Sequence, residues 1–165
     1  MYKTPNSLMV DRAKFSFLLN GGERKFMSIT YKEHLMDTIN ILYKYGYGFD
    51  HELIASAWVY NSTIQKKSVL NLFTERILNV QIDTNSPLTE LKKNKDALII
   101  MIAEKMAHVE YVISVSDKES YKNLNYFYFN IFKPKLYKDK DCDEMWKAFD
   151  KIMNKSYDVN KTTLS

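Results

Sequence analysis

Side chains that bind transition metals are scarce in this chain of 165 residues, which has three histidines (His34, His51 and His108) and one cysteine, Cys142. One cysteine excludes an intramolecular disulfide and every zinc site built from several thiolates. A site of histidines and carboxylates would need most of the histidines. Cys142 lies among four carboxylates within residues 139–144. Because their charge disfavours the thiolate, we expect an unreactive residue at a helix start.

Two of the histidines fall in segments that have a helical pattern. His34 lies one turn into the helix start Ile29–Leu35, and His108 follows Glu104 by one turn in the apolar segment Ala97–Val109. Between them, the apolar segment Glu52–Asn61 ends in two polar residues. Because residues four apart share one helix face, the Glu-x-x-x-His spacing is compatible with metal ligation.

These three segments, in this order, resemble the hydrolase domain of the RelA/SpoT family, including its single-domain metazoan SpoT homologue. The resemblance covers about residues 12–115. It implies an all-α, HD-type fold that removes the 3′ pyrophosphate of alarmone nucleotides such as (p)ppGpp. It also implies one divalent metal ion, usually manganese.

The family's functional positions are only partly retained. By the resemblance, the first metal-binding histidine falls on His34, and the distant aspartate falls on Glu104. The His-Asp pair that completes the metal site falls on Tyr60-Asn61, and the catalytic Glu-Asp pair falls on Ile64-Gln65. A nucleotide-contacting asparagine falls on His108. The family's basic pair that contacts the nucleotide corresponds to Arg24-Lys25, one residue out of register.

The missing groups predict that hydrolysis is lost. Neutral tyrosine is a poor ligand compared with imidazole, and an amide carries no charge. His34 and Glu104 are then the only residual metal candidates, too few to hold a divalent ion tightly. We therefore expect no metal cofactor and no confident catalytic residue. The degenerate pocket consists of His34, Tyr60, Asn61 and Glu104.

This interpretation predicts a pseudoenzyme that acts as a regulatory module. Its partner would be a host or regulatory protein, or a purine nucleotide held by Arg24, Lys25 and His108. The alternative is an active (p)ppGpp-type pyrophosphohydrolase or phosphodiesterase with a rebuilt site. Such a site would use His34, Glu104 and His108, bind manganese, and need a further ligand such as Asp37 or His51. In either case Glu104, in an apolar helix, needs a partner such as His34, His108 or Lys105.

Helix-start and helix-stop signals predict a single all-α domain of about seven helices, residues 1–156, with a loose polar tail at residues 157–165. Capping boxes are expected at Thr30–Glu33, Ser116–Glu119 and Asp141–Glu144, a cap at Asp50 with a Phe49 staple, and a further helix start at Ser86-Pro87. Gly46 and Gly48 should end one helix and Pro134 another. The alternative for residues 79–84 is a short strand.

Composition favours a globular protein that is not a typical nucleic-acid binder. The net charge is +4, but Arg12, Arg24 and Arg76 are the only arginines among 24 basic residues. Because lysine cannot make the forked contacts of arginine, we expect nucleic-acid binding to be unlikely. We find no signal-peptide pattern and no apolar run of membrane-spanning length, so a cytoplasmic location is expected. The abundance of Lys, Asn, Ile and Tyr suggests an AT-rich genome, for instance that of a phage.

One stretch of aromatic residues goes beyond what a single core-facing stripe requires. It comprises Tyr121, Tyr126, Phe127, Tyr128, Phe129 and Phe132. We expect a helix that packs on both sides. The alternative is a partly exposed aromatic face that binds a partner.

Overall fold

The computed structural model describes residues 5–20, 25–60, 74–80, 94–136 and 143–162. Within these ranges the fold is all-α, as predicted, apart from one two-stranded hairpin. The helices are α1 (Pro5–Asn20), α2 (Tyr31–Lys44), α3 (His51–Val59), α4 (Glu75–Val80), α5 (Lys95–Ser114), α6 (Lys118–Phe127) and α7 (Asp143–Thr162). The antiparallel strands β1 (Lys25–Phe26) and β2 (Ile29–Thr30) precede α2 directly.

Local capping explains where α2 and α3 begin. The Thr30 hydroxyl accepts from the Glu33 amide, and the Glu33 carboxylate accepts from the Thr30 amide at 2.7 Å, which confirms the predicted capping box. Asp50 accepts from the Leu53 amide at 3.1 Å and caps α3, also as predicted. The predicted staple is wrong, because Phe49 is 94% exposed.

The junction between α5 and α6 differs by one residue from the prediction. Asp117, not Ser116, caps α6 by accepting from the Ser120 amide at 3.0 Å. Ser116 instead takes a left-handed conformation with φ of 56°, and its amide donates to the carbonyl of Ile113. The Asp117 amide donates to the carbonyl of Val112. Ser116 therefore ends α5 in a Schellman arrangement and is not available as the cap of α6.

The sequence predicted that Pro134 ends the helix that begins at Lys118, and this prediction is also wrong. Helix α6 continues through a π-helical turn, Tyr128–Phe132, and a last turn, Lys133–Leu136. The Lys133 amide donates to the carbonyl of Tyr128, five residues back. Proline lacks an amide donor and its ring crowds the carbonyl four residues back, and the wider π turn before Pro134 accommodates both, so the helical path continues past it.

Two further elements were not expected. Helix α1 has apolar side chains on several faces, with Ala13 and Phe17 buried and Phe15 63% exposed, so no stripe marks it in the sequence. The strands β1 and β2 have two residues each, too short for a periodic signal.

Several predictions concern residues outside the described ranges. These are the helix start at Ser86-Pro87, the cap at Asp141 and the residue Cys142. Asn79 and Val80 are helical, so a strand beginning at Asn79 is wrong for these two residues. Helix α7 extends to Thr162 and includes the first residues of the predicted tail.

Helix α5 lies at the centre of the core, as its all-round apolar first half predicted. Every residue of the segment 97–103 is at most 5% exposed. Helix α2 packs along α5, and α1 packs against α3 through contact of Phe17 with Trp58, whose ring centroids are 5.7 Å apart. In the described residues, no helix is long and apolar enough to cross a membrane.

Candidate functional site

Helices α2 and α5 bring together the histidines and the carboxylate that the sequence singled out. His34 lies in the first turns of α2 and is 1% exposed. Glu104 and His108 lie one turn apart on α5. The ring centroids of His34 and His108 are 6.0 Å apart. The packing of α2 on α5 therefore places all three side chains in one cluster.

Glu104 lies between His34 and Lys105, two of the three partners that its position in an apolar helix suggested. Its Oε1 lies 3.6 Å from His34 Nε2, and its Oε2 lies 3.3 Å from Lys105 Nζ. Burial alone would raise the pKa of Glu104, but the Lys105 ammonium and the His34 imidazole outweigh burial and hold this pKa well below its usual value. Glu104, whose side chain is 12% exposed, is therefore a largely buried carboxylate with its charge compensated inside the protein.

An aromatic ring from the hairpin covers the histidines. Phe26 stacks on the imidazole of His34, with ring centroids 3.8 Å apart and planes at 10°, and it meets His108 edge-on at 4.7 Å. Strand β1 places Phe26 over α2 and α5, and the Ser28 hydroxyl in the turn contacts the Tyr111 hydroxyl of α5. No sequence pattern predicts this cover, because it depends on the hairpin.

The two imidazoles have nitrogens with no hydrogen-bond partner among the described residues. These are both ring nitrogens of His34 and Nδ1 of His108. Burial, followed by the Lys105 charge, lowers the pKa of His108 to about 4. His108 is therefore neutral near pH 7 and keeps an unprotonated ring nitrogen.

Tyr60, at the end of α3, lies within electrostatic reach of the same cluster. Burial and the negative charge of Glu104 raise the pKa of its hydroxyl above the usual value for tyrosine. A tyrosine held in its neutral form is a weak metal ligand. The fold thus brings together His34, Tyr60 and Glu104, three of the four residues predicted to form the degenerate pocket.

The remaining predicted residues are separate from this cluster or lie outside the described ranges. Asn61, Arg24 and the pair Ile64-Gln65 are not in the part of the chain that the structure describes. Lys25 directly precedes Phe26 and is exposed. Asp37 lies one turn after His34 and lines a groove of about 350 Å³ between α2 and α5, and His51 begins α3.

The described residues do not fit the manganese site that the resemblance implies. No group of three or more histidine, cysteine, aspartate or glutamate side chains among them is arranged to hold a metal ion. The Lys105 ammonium beside Glu104 would repel a dication. We therefore derive no catalytic step through a metal.

A comparison of the chain with protein families, curated proteins and solved structures gives no match. The geometry of the His34–Glu104 cluster is therefore the basis for the function proposed below.

Proposed function

We propose that this chain is a catalytically degenerate HD-type domain that acts as a regulatory binding module. The observation that carries the proposal is the pairing of Glu104 with the buried His34, on whose ring Phe26 stacks. The two residues that stand at metal-ligand positions in the RelA/SpoT-type resemblance contact each other and protein groups.

The chemistry of the cluster supports binding without hydrolysis. Hydrolysis of a pyrophosphate needs an activated water and a cation to stabilise the developing charge. Here the Glu104 carboxylate is neutralised by Lys105, and Tyr60 has a raised pKa that disfavours a phenolate ligand. Because His34 is 1% exposed and Phe26 stacks on its ring, water and substrate have little access to this imidazole.

The partner is a regulatory protein or a purine nucleotide. A nucleotide would contact Arg24, Lys25 and His108, the positions that the resemblance assigns to nucleotide contacts. The covered cluster favours the protein partner, because a nucleotide in the old pocket would have to displace Phe26. A host protein is the natural partner if the chain is encoded by a phage.

Metal content and hydrolysis test the proposal together. The purified chain is incubated with excess MnCl2, desalted and examined by elemental analysis, and in parallel it is mixed with ppGpp and MnCl2. We expect well below one metal ion per chain and no release of pyrophosphate above the rate with buffer alone.

The matched variants are His34→Ala and Glu104→Ala, compared with His51→Ala on another helix. If the chain is a binding module, each of the three variants that folds should still bind the partner as the natural chain does. One bound metal per chain that both pocket variants lose, with ppGpp hydrolysis lost in parallel, would establish the rebuilt-site hydrolase instead.

A further inference from the structure

The groove between α6 and α7 has features of a peptide-binding surface. Its volume is about 640 Å³, and it is lined by Lys122, Asn125, Tyr126, Phe129, Asn130 and Asn154. The helices run antiparallel, since Tyr121 contacts Met153 and Tyr128 contacts Asp150. This groove lies on different helices from the His34–Glu104 cluster.

The core on the inner side of the two helices fixes the shape of this groove. Tyr128, Phe132, Trp146 and Phe149 are buried and in mutual ring contact, with stacked rings of Phe132 and Trp146 at 5.2 Å. The Asp150 carboxylate accepts from the Tyr128 hydroxyl at 2.5 Å and from Lys133 at 2.6 Å. The groove is therefore a preformed feature of two pinned helices, which reduces the entropic cost of binding.

Three asparagine amides in the groove are held in place by hydrogen bonds within the protein. The Nδ2 atoms of Asn125, Asn130 and Asn154 donate to the Tyr121 hydroxyl, the Tyr126 carbonyl and the Asp150 carboxylate, respectively, at 2.9–3.3 Å. Each side chain therefore has a fixed amide with a carbonyl oxygen that accepts hydrogen bonds. Fixed acceptors suit the backbone N–H groups of an extended peptide, which has no internal hydrogen bonds to satisfy them.

The groove also has an aromatic surface in contact with solvent. Tyr126 is 65% exposed, and Phe129 is partly buried beside it. Tyrosine supplies a large contact area with few rotatable bonds and is enriched at binding hot spots. An apolar side chain of a ligand would be desolvated against these two rings.

The charge of the groove determines whether an acidic or a basic ligand fits it. Lys122 is the one charged side chain among the lining residues that the structure describes. The nearby Asp150 is compensated by Lys133. A carboxylate on the ligand complements this surface, whereas a basic ligand would be repelled.

We propose that the groove between α6 and α7 docks an extended, acidic segment of a partner protein. Its backbone N–H groups donate to the asparagine amides, an apolar side chain packs on Tyr126 and Phe129, and an aspartate or glutamate pairs with Lys122. Because Lys122 is the one cation among the described lining residues, the groove favours a peptide over RNA, which needs several phosphate contacts. This proposal depends on the proposed function in one respect, which is that the domain acts by binding a partner.

The test uses peptides selected on the full chain. A display library of random 12-residue peptides is enriched on the immobilised chain, and the selected peptides are synthesised with a fluorophore and measured by anisotropy. We expect selected sequences rich in Asp or Glu together with an apolar residue. Lys122→Glu and Tyr126→Ala should each weaken binding by roughly tenfold or more.

Two control variants on other helices show whether a loss of affinity is specific to the groove. Phe15→Ala removes an aromatic side chain of matching exposure, 63% against 65% for Tyr126, and Lys32→Glu makes the same charge change on α2. Both should leave affinity within roughly twofold. Circular dichroism of each variant establishes that it folds.

Three outcomes would overturn the proposal. They are a selection that enriches no peptide, peptides whose binding ignores Lys122→Glu and Tyr126→Ala, and a ten-nucleotide oligouridylate that binds more tightly than any peptide and responds to the same variants. None of these outcomes alters the metal and hydrolysis results, so failure of the groove and failure of the degenerate site are distinguishable.

Discussion

At the residue scale, the neighbours of a side chain decide what it can do. His34 and Glu104 have the chemistry of metal ligands, but Phe26 stacks on one and Lys105 pairs with the other. Glu104 needs these partners because an unpaired carboxylate in an apolar core is costly. The contacts that stabilise the core therefore also set the electrostatic surroundings of the pair.

His108 should make the stability of the protein depend on pH. Its pKa is about 4 in the folded chain and about 6.5 in the unfolded chain, so the unfolded state binds more protons between these values. The free energy of unfolding therefore falls as the pH drops from about 6.5 to about 4. His108→Asn removes the titrating ring. The fall in the free energy of unfolding between pH 7 and pH 5 should therefore be smaller in this variant by about 1 kcal/mol.

The measurement is urea unfolding of each protein at pH 7 and pH 5. His51→Asn serves as the control, because this residue begins α3, away from the ring contacts of the cluster. It should retain the pH dependence of the natural chain. If the free energy of unfolding fell by the same amount between pH 7 and pH 5 in His108→Asn and in the natural chain, the burial of His108 would not be the source of the effect.

At the element scale, Gly46 provides the end of α2. It has φ of 85°, a left-handed conformation, and no atom lies within 4 Å of the position that a Cβ atom would occupy. Gly46→Ala should therefore destabilise the fold by about 1 kcal/mol through backbone strain alone. Gly46→Asn should cost less, because asparagine tolerates this conformation. Thermal unfolding of both variants shows which substitution destabilises the fold more. Equal destabilisation by alanine and asparagine would show that backbone strain is not the cause.

Asp150 should hold the π-helical end of α6 to α7. Tyr128 is buried, and its hydroxyl donates to Asp150. Asp150→Ala removes the acceptor of both this hydroxyl and Lys133, at an expected cost of about 1–3 kcal/mol. Asp150→Asn keeps an acceptor and should cost less.

A double-mutant cycle with Tyr128→Phe isolates the contact between Tyr128 and Asp150. In the Tyr128→Phe background, Asp150→Ala should cost less than in the natural chain, because no buried hydroxyl is left without its acceptor. Urea unfolding measures all four proteins. Additive costs would mean that the hydroxyl does not depend on Asp150.

Two helix caps could be predicted from the sequence, whereas the Phe49 staple and the Ser116 cap were wrong and most contacts between distant segments could not be predicted. The Thr30–Glu33 box and the Asp50 cap depend on residues three apart, and both were predicted correctly. A partner for Glu104 was expected from its place in an apolar helix, but its identity was left open among His34, His108 and Lys105. The stacking of Phe26 depends on how the hairpin meets α2, which no short pattern encodes.

At the scale of the whole molecule, one hydrophobic core connects both ends of the described chain. Buried residues from α1 to α7 form a single cluster, with Phe17 and Trp58 at one side and Phe132 and Trp146 at the other. Helix α5 contacts α2, α3, α6 and α7 and so links the two groups. This continuity implies that the surface formed by α6 and α7 and the His34–Glu104 cluster share one folding unit.

The two tryptophans test this continuity, because each reports on one side of the core. Trp146→Phe leaves Trp58 as the fluorescent probe near α1 and α3, and Trp58→Phe leaves Trp146 near α6 and α7. Within each variant, urea unfolding followed by tryptophan fluorescence and by far-ultraviolet circular dichroism should give the same midpoint. The comparison is made inside each variant, so a general loss of stability from either substitution does not affect it. A fluorescence midpoint separated from the circular dichroism midpoint in either variant would mean that α6 and α7 unfold independently of the cluster around His34.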